Sequence, residues 1–135
     1  MAILIMDACA LIAYIKNEVG AATVEALLAD ATNQCVVHSI NLCEVYYGIL
    51  RAEDEPTAQA VLGQLNEIRI IQYHDMDTEF WQIAGRIKAE WHRISLADCF
   101  AVALALRLDG SVVTSDHGEF DPLVTAGVVK TLFIH

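Results

Sequence analysis

Ala2-Ile3-Leu4-Ile5-Met6-Asp7, residues 2–7, sets the reading of the whole chain: a short apolar run that closes on a carboxylate. Runs of this kind are expected of strands buried on both faces of a parallel sheet. Cys35–His38, Ile68–Tyr73, Ser111–Thr114 and Val128–Ile134 are further bounded runs rich in Val and Ile. Between them, Ala10–Ile15, Ala21–Ala31, Leu42–Arg51, Thr57–Asn66, Thr78–Trp91 and Leu96–Leu108 carry apolar residues at helical intervals. Pro56 suits an early helical position and Gly110 a C-terminal cap. Strands alternating with helices predict right-handed crossovers, and so an α/β fold: a three-layer αβα sandwich around a central, mostly parallel five-stranded sheet. No repeat, low-complexity tract or Pro/Gly-rich linker divides the sequence, so residues 1–135 are expected to form one domain.

Composition narrows the function. A hydrophobic content of 56% supplies a full core, while 18 acidic residues against eight Lys and Arg give a net charge of -10. General attraction to nucleic acid, membrane or other anions is therefore unfavourable, and an anionic substrate needs local help. Cys9, Cys35, Cys43 and Cys99 lack C-x-x-C spacing and read as reduced thiols. Ala2–Met6 has no basic leader and is too short for a signal peptide, and the apolar segment Cys99–Leu106 is too short to span a bilayer. A cytoplasmic location without membrane attachment is expected.

Four acids carry the chemistry. Asp7 follows the first strand, Glu44 and Asp98 fall early in helices, and Asp116 follows the run Ser111–Thr114. In open parallel sheets the site lies in the crevice outside the carboxyl ends of the strands, where this topology brings the four together. Each also has an ordinary structural reading. Ser95-Leu96-Ala97-Asp98 matches a capping box, Asn41 and Glu44 are spaced for a similar cap, and Asp7 and Asp116 stand where Asp commonly caps a helix. Those readings explain the acids singly and leave their convergence unexplained. Two like charges about 4 Å apart repel by roughly 4 kcal/mol at an effective dielectric near 20. Such a cluster must take up protons or hold a cation. An all-oxygen ligand set favours Mg²⁺ or Mn²⁺, and carboxylate-held Mg²⁺ usually leaves positions for water and substrate phosphate.

The residues that carry these acids, Asp7, Cys43-Glu44-Val45-Tyr46-Tyr47-Gly48, Ile94-Ser95-Leu96-Ala97-Asp98 and Thr114-Ser115-Asp116-His117-Gly118-Glu119-Phe120, together resemble the PIN-domain family, most closely its VapC-type toxin ribonucleases. The resemblance runs from the first strand to the end of the chain. It implies a metal-dependent endoribonuclease with Asp7, Glu44, Asp98 and Asp116 as catalytic and metal-holding residues, Thr114 and Glu119 in support, and a 5′-phosphate product. It also implies a cognate antitoxin that covers the acidic crevice. One position departs from the family, which commonly places Ser or Thr after the first Asp; here the sequence reads Asp7-Ala8-Cys9. A missing supporting group can weaken metal affinity or activity about 10- to 100-fold.

Of the cations, Arg86, Lys88 and Arg93 are close enough in sequence to build a modest RNA-binding patch leading to Asp98, and a homodimer would double it. His117 alone among the five histidines adjoins the acids, as a turn residue. Cys9, Cys43 and Cys99 read as packing, and Trp81, Trp91, Tyr46 and Tyr47 as core or an interaction surface. Two other readings compete. A phospho-receiver-like signalling domain would use Asp75, Thr114 and Lys130 but gives Glu44 and Asp98 no role. A non-catalytic partner-binding module would keep the fold and draw on the missing hydroxyl at Ala8.

Overall fold

The computed structural model describes residues 1–135. Its elements are β1 (Ala2–Met6), α1 (Ala8–Ile15), α2 (Ala21–Ala29), β2 (Asn33–His38), α3 (Ser39–Ala52), α4 (Glu55–Glu67), β3 (Ile70–Tyr73), α5 (Thr78–Glu90), α6 (Leu96–Leu108), β4 (Ser111–Thr114), α7 (His117–Thr125) and β5 (Lys130–Phe133). One five-stranded sheet has the order β3-β2-β1-β4-β5, and every pairing in it is parallel. β1 is central, with Ile5 paired to Val36 on one side and to Val112 on the other. The chain lays strands outward from β1 in one direction and then returns to the other side of β1. The order therefore reverses between β1 and β4, and the carboxyl ends of these strands flank the crevice that such a reversal leaves.

Alternation along the strands builds two cores. Leu4 and Met6 of β1, with Cys35, Val37 and Val113, face Leu11, Val24, Val45, Ile49 and Leu65 from α1 to α4. Ile5, Val36 and Val112 point the opposite way, toward Phe80 of α5, Leu104 of α6 and Phe120 of α7. The helices thus form layers on both sheet faces, the αβα sandwich expected from the sequence. α6 is the most enclosed of them, buried continuously from Asp98 to Ala105.

Several local expectations are corrected. The edge strands are not buried on both faces: Ile71 of β3 is 43% exposed. β3 begins at Ile70 because Ile68 closes α4 as its C-terminal cap, and the β5 ladder is confined to Lys130–Phe133. α3 begins at Ser39, three residues early, because His38 Nδ1 accepts the Ile40 N–H. That leaves Asn41 free to enter the core, where its side chain donates to the Ala97 carbonyl of α6. The segment 117–125 is helical although it contains Pro122: Asp116 caps it, and burial of Phe120 and Leu123 overrides the proline. After α6 the left-handed position is taken by Asp109, while Gly110 is needed for space.

The start of α5 is fixed by charge. Arg107 of α6 donates to both oxygens of Asp77, at 2.7 and 2.9 Å, and to Asp75 at 3.0 Å, with its guanidinium over the Phe80 ring. Its hydrogen bonds hold the Asp77 carboxyl down at about 2. His38 stacks on Phe80 and Phe100 and reaches the Asp75 carbonyl with Nε2.

Two glycines give a test of this packing. A Cβ at Gly110 would lie 2.6 Å from the Ile3 carbonyl, whereas nothing stands within 4 Å of one at Gly63 in α4. Gly110→Ala is expected to lower unfolding free energy in urea by about 1–3 kcal/mol. Gly63→Ala is expected to raise it by about 0.5–1 kcal/mol, because alanine fixes the helix at lower entropic cost.

Candidate functional site

Three helix N-termini open onto the crevice beside β1 and β4, and each brings an acid. Asp7 caps α1, its Oδ1 accepting the Ala10 N–H at 2.9 Å. Asp116 caps α7, accepting the Glu119 N–H at 2.9 Å. Asp98 sits in the first turn of α6, where its own N–H donates to Ser95 Oγ. The positive ends of three helix dipoles therefore face the negative charge. The capping and site readings of Asp7 and Asp116 are thus compatible in the geometry: a cap uses one carboxylate oxygen and leaves lone pairs on the other.

The capping box at Ser95 is built differently from the sequence expectation. The group that accepts the Ser95 N–H is Glu119 Oε1 of α7, at 3.2 Å, in place of Asp98. This substitution leaves the Asp98 carboxyl turned to the crevice. One oxygen from each of Asp98, Asp116 and Glu119 lies within 4.8 Å of the others. Glu119 Oε2 is buried and has no hydrogen-bond partner. A buried carboxylate oxygen without a hydrogen-bond partner, beside two further carboxyls and out of reach of every Lys and Arg, suits either a shared proton or a hard cation.

Asp7 and Glu44 line the same crevice, a space of about 280 Å³, with Cys9, Tyr47 and Ser95. They lie outside the tightest group, which includes Glu119 instead of Asp7. Asp7 is engaged locally, by Ala10, by Thr114 and by the Cys9 thiol. Thr114 Oγ1 accepts the Asp116 N–H at 3.0 Å, so the hydroxyl bridges the two strand-end acids. The sequence reading missed Cys9. Its Sγ stands 3.1 Å from Asp7 Oδ1 and accepts from Ser115 N–H and O–H, which fills by sulfur the supporting position vacant at Ala8.

Burial and mutual repulsion raise Asp7, Asp98 and Glu44. Desolvation pushes Asp7 up to about 6. Desolvation, then the shared contact with Glu119 and the charges of Asp7 and Glu44, hold Asp98 far above the carboxylate range. Glu44 is raised by burial and by Asp7 and Glu119, and lowered by the Tyr47 hydroxyl beside it. The cations divide. Lys88 is committed to the His92 and Ile94 carbonyls at the end of α5, Arg86 is exposed on α5, and Arg93 is exposed in an adjoining groove that Glu90 and Glu119 also line. Asp75 is paired with Arg107, which takes from the phospho-receiver reading its acceptor carboxylate. Cys43 is exposed rather than packed, whereas Cys99 is buried, and all four thiols are free. No helix is long and apolar enough to cross a membrane.

Residues 4–122 match the family model for the PIN domain. Solved structures share the fold at low identity. The DNA-bound VapBC of Salmonella typhimurium is similar at 19% identity and a TM-score of 0.73, covering 100% of both chains. VapBC-5 of Mycobacterium tuberculosis, from a family of toxin–antitoxin systems, matches at 19% and 0.67 over 98% of this chain and 99% of its own. The sarcin–ricin-loop cleaving toxin VapC20 of the same organism matches at 12% and 0.65 over 81% and 86%. No match was found among curated proteins.

The raised acids set a pH dependence. Asp7 is 3.8 in the unfolded chain and about 6 when folded, so its stabilising contribution is fully present below 3.8 and is lost as pH rises through about 6. In chelator, the melting temperature should fall across that window by an amount on the order of 3 kcal/mol in stability. Mn²⁺ at about 100 times its dissociation constant should restore about 2.7 kcal/mol at neutral pH and much less at pH near 4. A melt unmoved by Mn²⁺ at neutral pH would remove the cation from this site.

Proposed function

The chain belongs to the PIN-domain family, and from that premise we propose that it is a metal-dependent endoribonuclease, the VapC-type toxin of a toxin–antitoxin pair. One observation carries the reading: Glu119 takes over the Ser95 cap, so Asp98, Asp116 and Glu119 converge with no protein cation among them. Three converging carboxyls with one buried oxygen lacking a partner are costly unless a proton or a cation completes them, and the cation is the choice that gives the cluster a catalytic role. A second contact weighs against the non-catalytic module: the Cys9 thiol reaches Asp7, so the missing hydroxyl at Ala8 does not leave that acid unsupported.

Asp98, Asp116 and Glu119 would hold Mg²⁺ or Mn²⁺, with Asp7 and Glu44 completing the negative wall. When bound, the ion supplies Lewis-acid polarisation of the phosphodiester and offsets the charge that develops at phosphorus. Asp7, fixed by Ala10 and Thr114, keeps its carboxylate oriented from the end of β1. Glu44, half-buried in the same crevice, would accept at its carboxylate a proton from the water that attacks in line. Attack breaks the bond to the 3′-oxygen and leaves a 5′-phosphate end.

The substrate is RNA, and its phosphates meet cations only locally, with Arg86 and Arg93 exposed and Lys88 partly spent on backbone carbonyls. The partners that follow are a cognate antitoxin over the crevice and a second copy of the chain, with residues 1–135 acting as one unit in the cytoplasm. The fold shared with the VapBC structures supports this assignment.

Purified protein incubated with total RNA should cut it in Mg²⁺ or Mn²⁺ and not in chelator, leaving ends that a 5′-phosphate-dependent ligase accepts. Asp98→Asn and Asp116→Asn should each lower cleavage by at least about 100-fold, more than the loss of a supporting group, with the far-UV spectrum unchanged. Cleavage that persists in chelator, or full activity in both variants, would refute the assignment.

A further inference from the structure

Asn41 and Glu44 have the spacing of a capping pair on α3, yet Asn41 caps nothing. His38 fills that role, and the Asn41 side chain is turned into the protein with none of its surface exposed. Its Nδ2 donates to the Ala97 carbonyl at 3.4 Å, a long bond and the only side-chain hydrogen bond that joins α3 to α6. Its Oδ1 is buried and has no partner in the protein. Turning the amide over does not help, since Oδ1 would then face the Ala97 carbonyl and Nδ2 would be the orphan. As a contribution to folding the arrangement is poor: one weak bond is set against an acceptor stripped of water. A leucine has the same branched outline and would fill the space without that penalty. A buried polar group retained against stability needs another reason.

That reason lies at the two ends of the contact. Ala97 immediately precedes Asp98 in the first turn of α6, and Glu44 follows Asn41 by three residues, which puts both on one side of α3. The bond therefore ties together the two helix starts from which Glu44 and Asp98 enter the crevice. α6 is the fixed partner. Glu119 holds its cap at Ser95, its body is buried without a break from Asp98 to Ala105, and Arg107 grips Asp75 and Asp77 near its far end. α3 is anchored in the opposite core by Val45 and Ile49, beyond Glu44, so its first turn is left to His38 and Asn41 to fix. We propose that Asn41 is a positioning residue for Glu44: anchored on the Ala97 carbonyl, its amide sets how far the start of α3 stands from the start of α6, and so holds the Glu44 carboxylate in register with Asp98. The inference rests on the nuclease reading and deepens it. The Glu44 charge is felt at Asp98, so the two carboxyls are close enough for a small shift of α3 to change what they do together.

The test is a double-mutant cycle on the full chain, read as cleavage of labelled RNA in Mn²⁺. Asn41→Leu should lower kcat about tenfold or more, the scale of a lost support or a small misplacement, and leave KM unchanged. The rise in melting temperature caused by Mn²⁺ should match that of the parent, because Asp98, Asp116 and Glu119 stay where α6 and α7 put them. In chelator the variant should melt no lower than the parent, since the orphaned oxygen is gone. In a Glu44→Gln background, followed under single-turnover conditions, the same substitution should lower the rate by less than about twofold, because no carboxylate is left to misplace. Asn41→Ala, which introduces nothing that can clash, should repeat the pattern in kcat and in the cycle.

The outcomes separate the two readings. If both substitutions lower the rate by the same factor with Glu44 and with Gln in its place, Asn41 acts on the fold as a whole and the proposal is overturned. Unchanged kcat in both variants overturns it too, as does loss of the Mn²⁺ shift, which would place Asn41 behind the cation instead of behind Glu44. In each of these cases cleavage by the native protein in Mn²⁺, absent in chelator, leaves the nuclease reading standing. If the native protein cuts no RNA although Mn²⁺ raises its melting temperature, both readings fail together.

Discussion

Negative charge concentrated where the sheet reverses direction is the constraint to which the surrounding structure answers. Asp7, Asp98, Asp116, Glu119 and Glu44 enter from four places in the chain and share one crevice. Three helix N-termini, the Thr114 hydroxyl and the Cys9 thiol are aimed at them, each supplying part of the compensation that solvent would give an exposed acid. These contacts are incomplete by design of the geometry: they orient the carboxylates without neutralising them. Desolvation remains the largest force on Asp7 and on Asp98. The scaffold can sustain this because the two cores on either side of β1 and β4 are continuous and hold the strand ends apart from solvent.

Much of this was legible in the sequence because parallel strands buried on both faces leave unbroken apolar runs. Ala2–Met6 and Ser111–Thr114 were read to their ends, and each run was followed by its acid. The edge strands were read too long, since at an edge the apolar pattern continues into residues that cap a helix or leave the ladder, as Ile68 and Val128 do. α7 leaves no such run in the sequence. Its signal is tertiary: Phe120 and Leu123 hold it against the sheet, while locally Gly118 and Pro122 spell a turn.

The site divides in the same way. Asp7 and Asp116 could be placed from strand ends alone, and the convergence of the acids followed from topology. The exchange at Ser95 could not be found by spacing, because a capping box is defined within one helix and Glu119 arrives from another, 24 residues away. Cys9 was hidden for a related reason. A cysteine among apolar neighbours reads as packing, and only the approach of Ser115, 106 residues distant, gives its sulfur two donors beside the Asp7 carboxylate it serves. Lys88 errs in the opposite direction: its charge suggests phosphate, but the end of α5 claims it for two carbonyls.

The bond between Glu119 and Ser95 has a further meaning for how the molecule comes into being. On the ribosome Asp7 emerges 112 residues ahead of Glu119, the residue that caps Ser95 and meets Asp98 and Asp116. Vectorial synthesis therefore leaves the acidic cluster incomplete until α7 has been made.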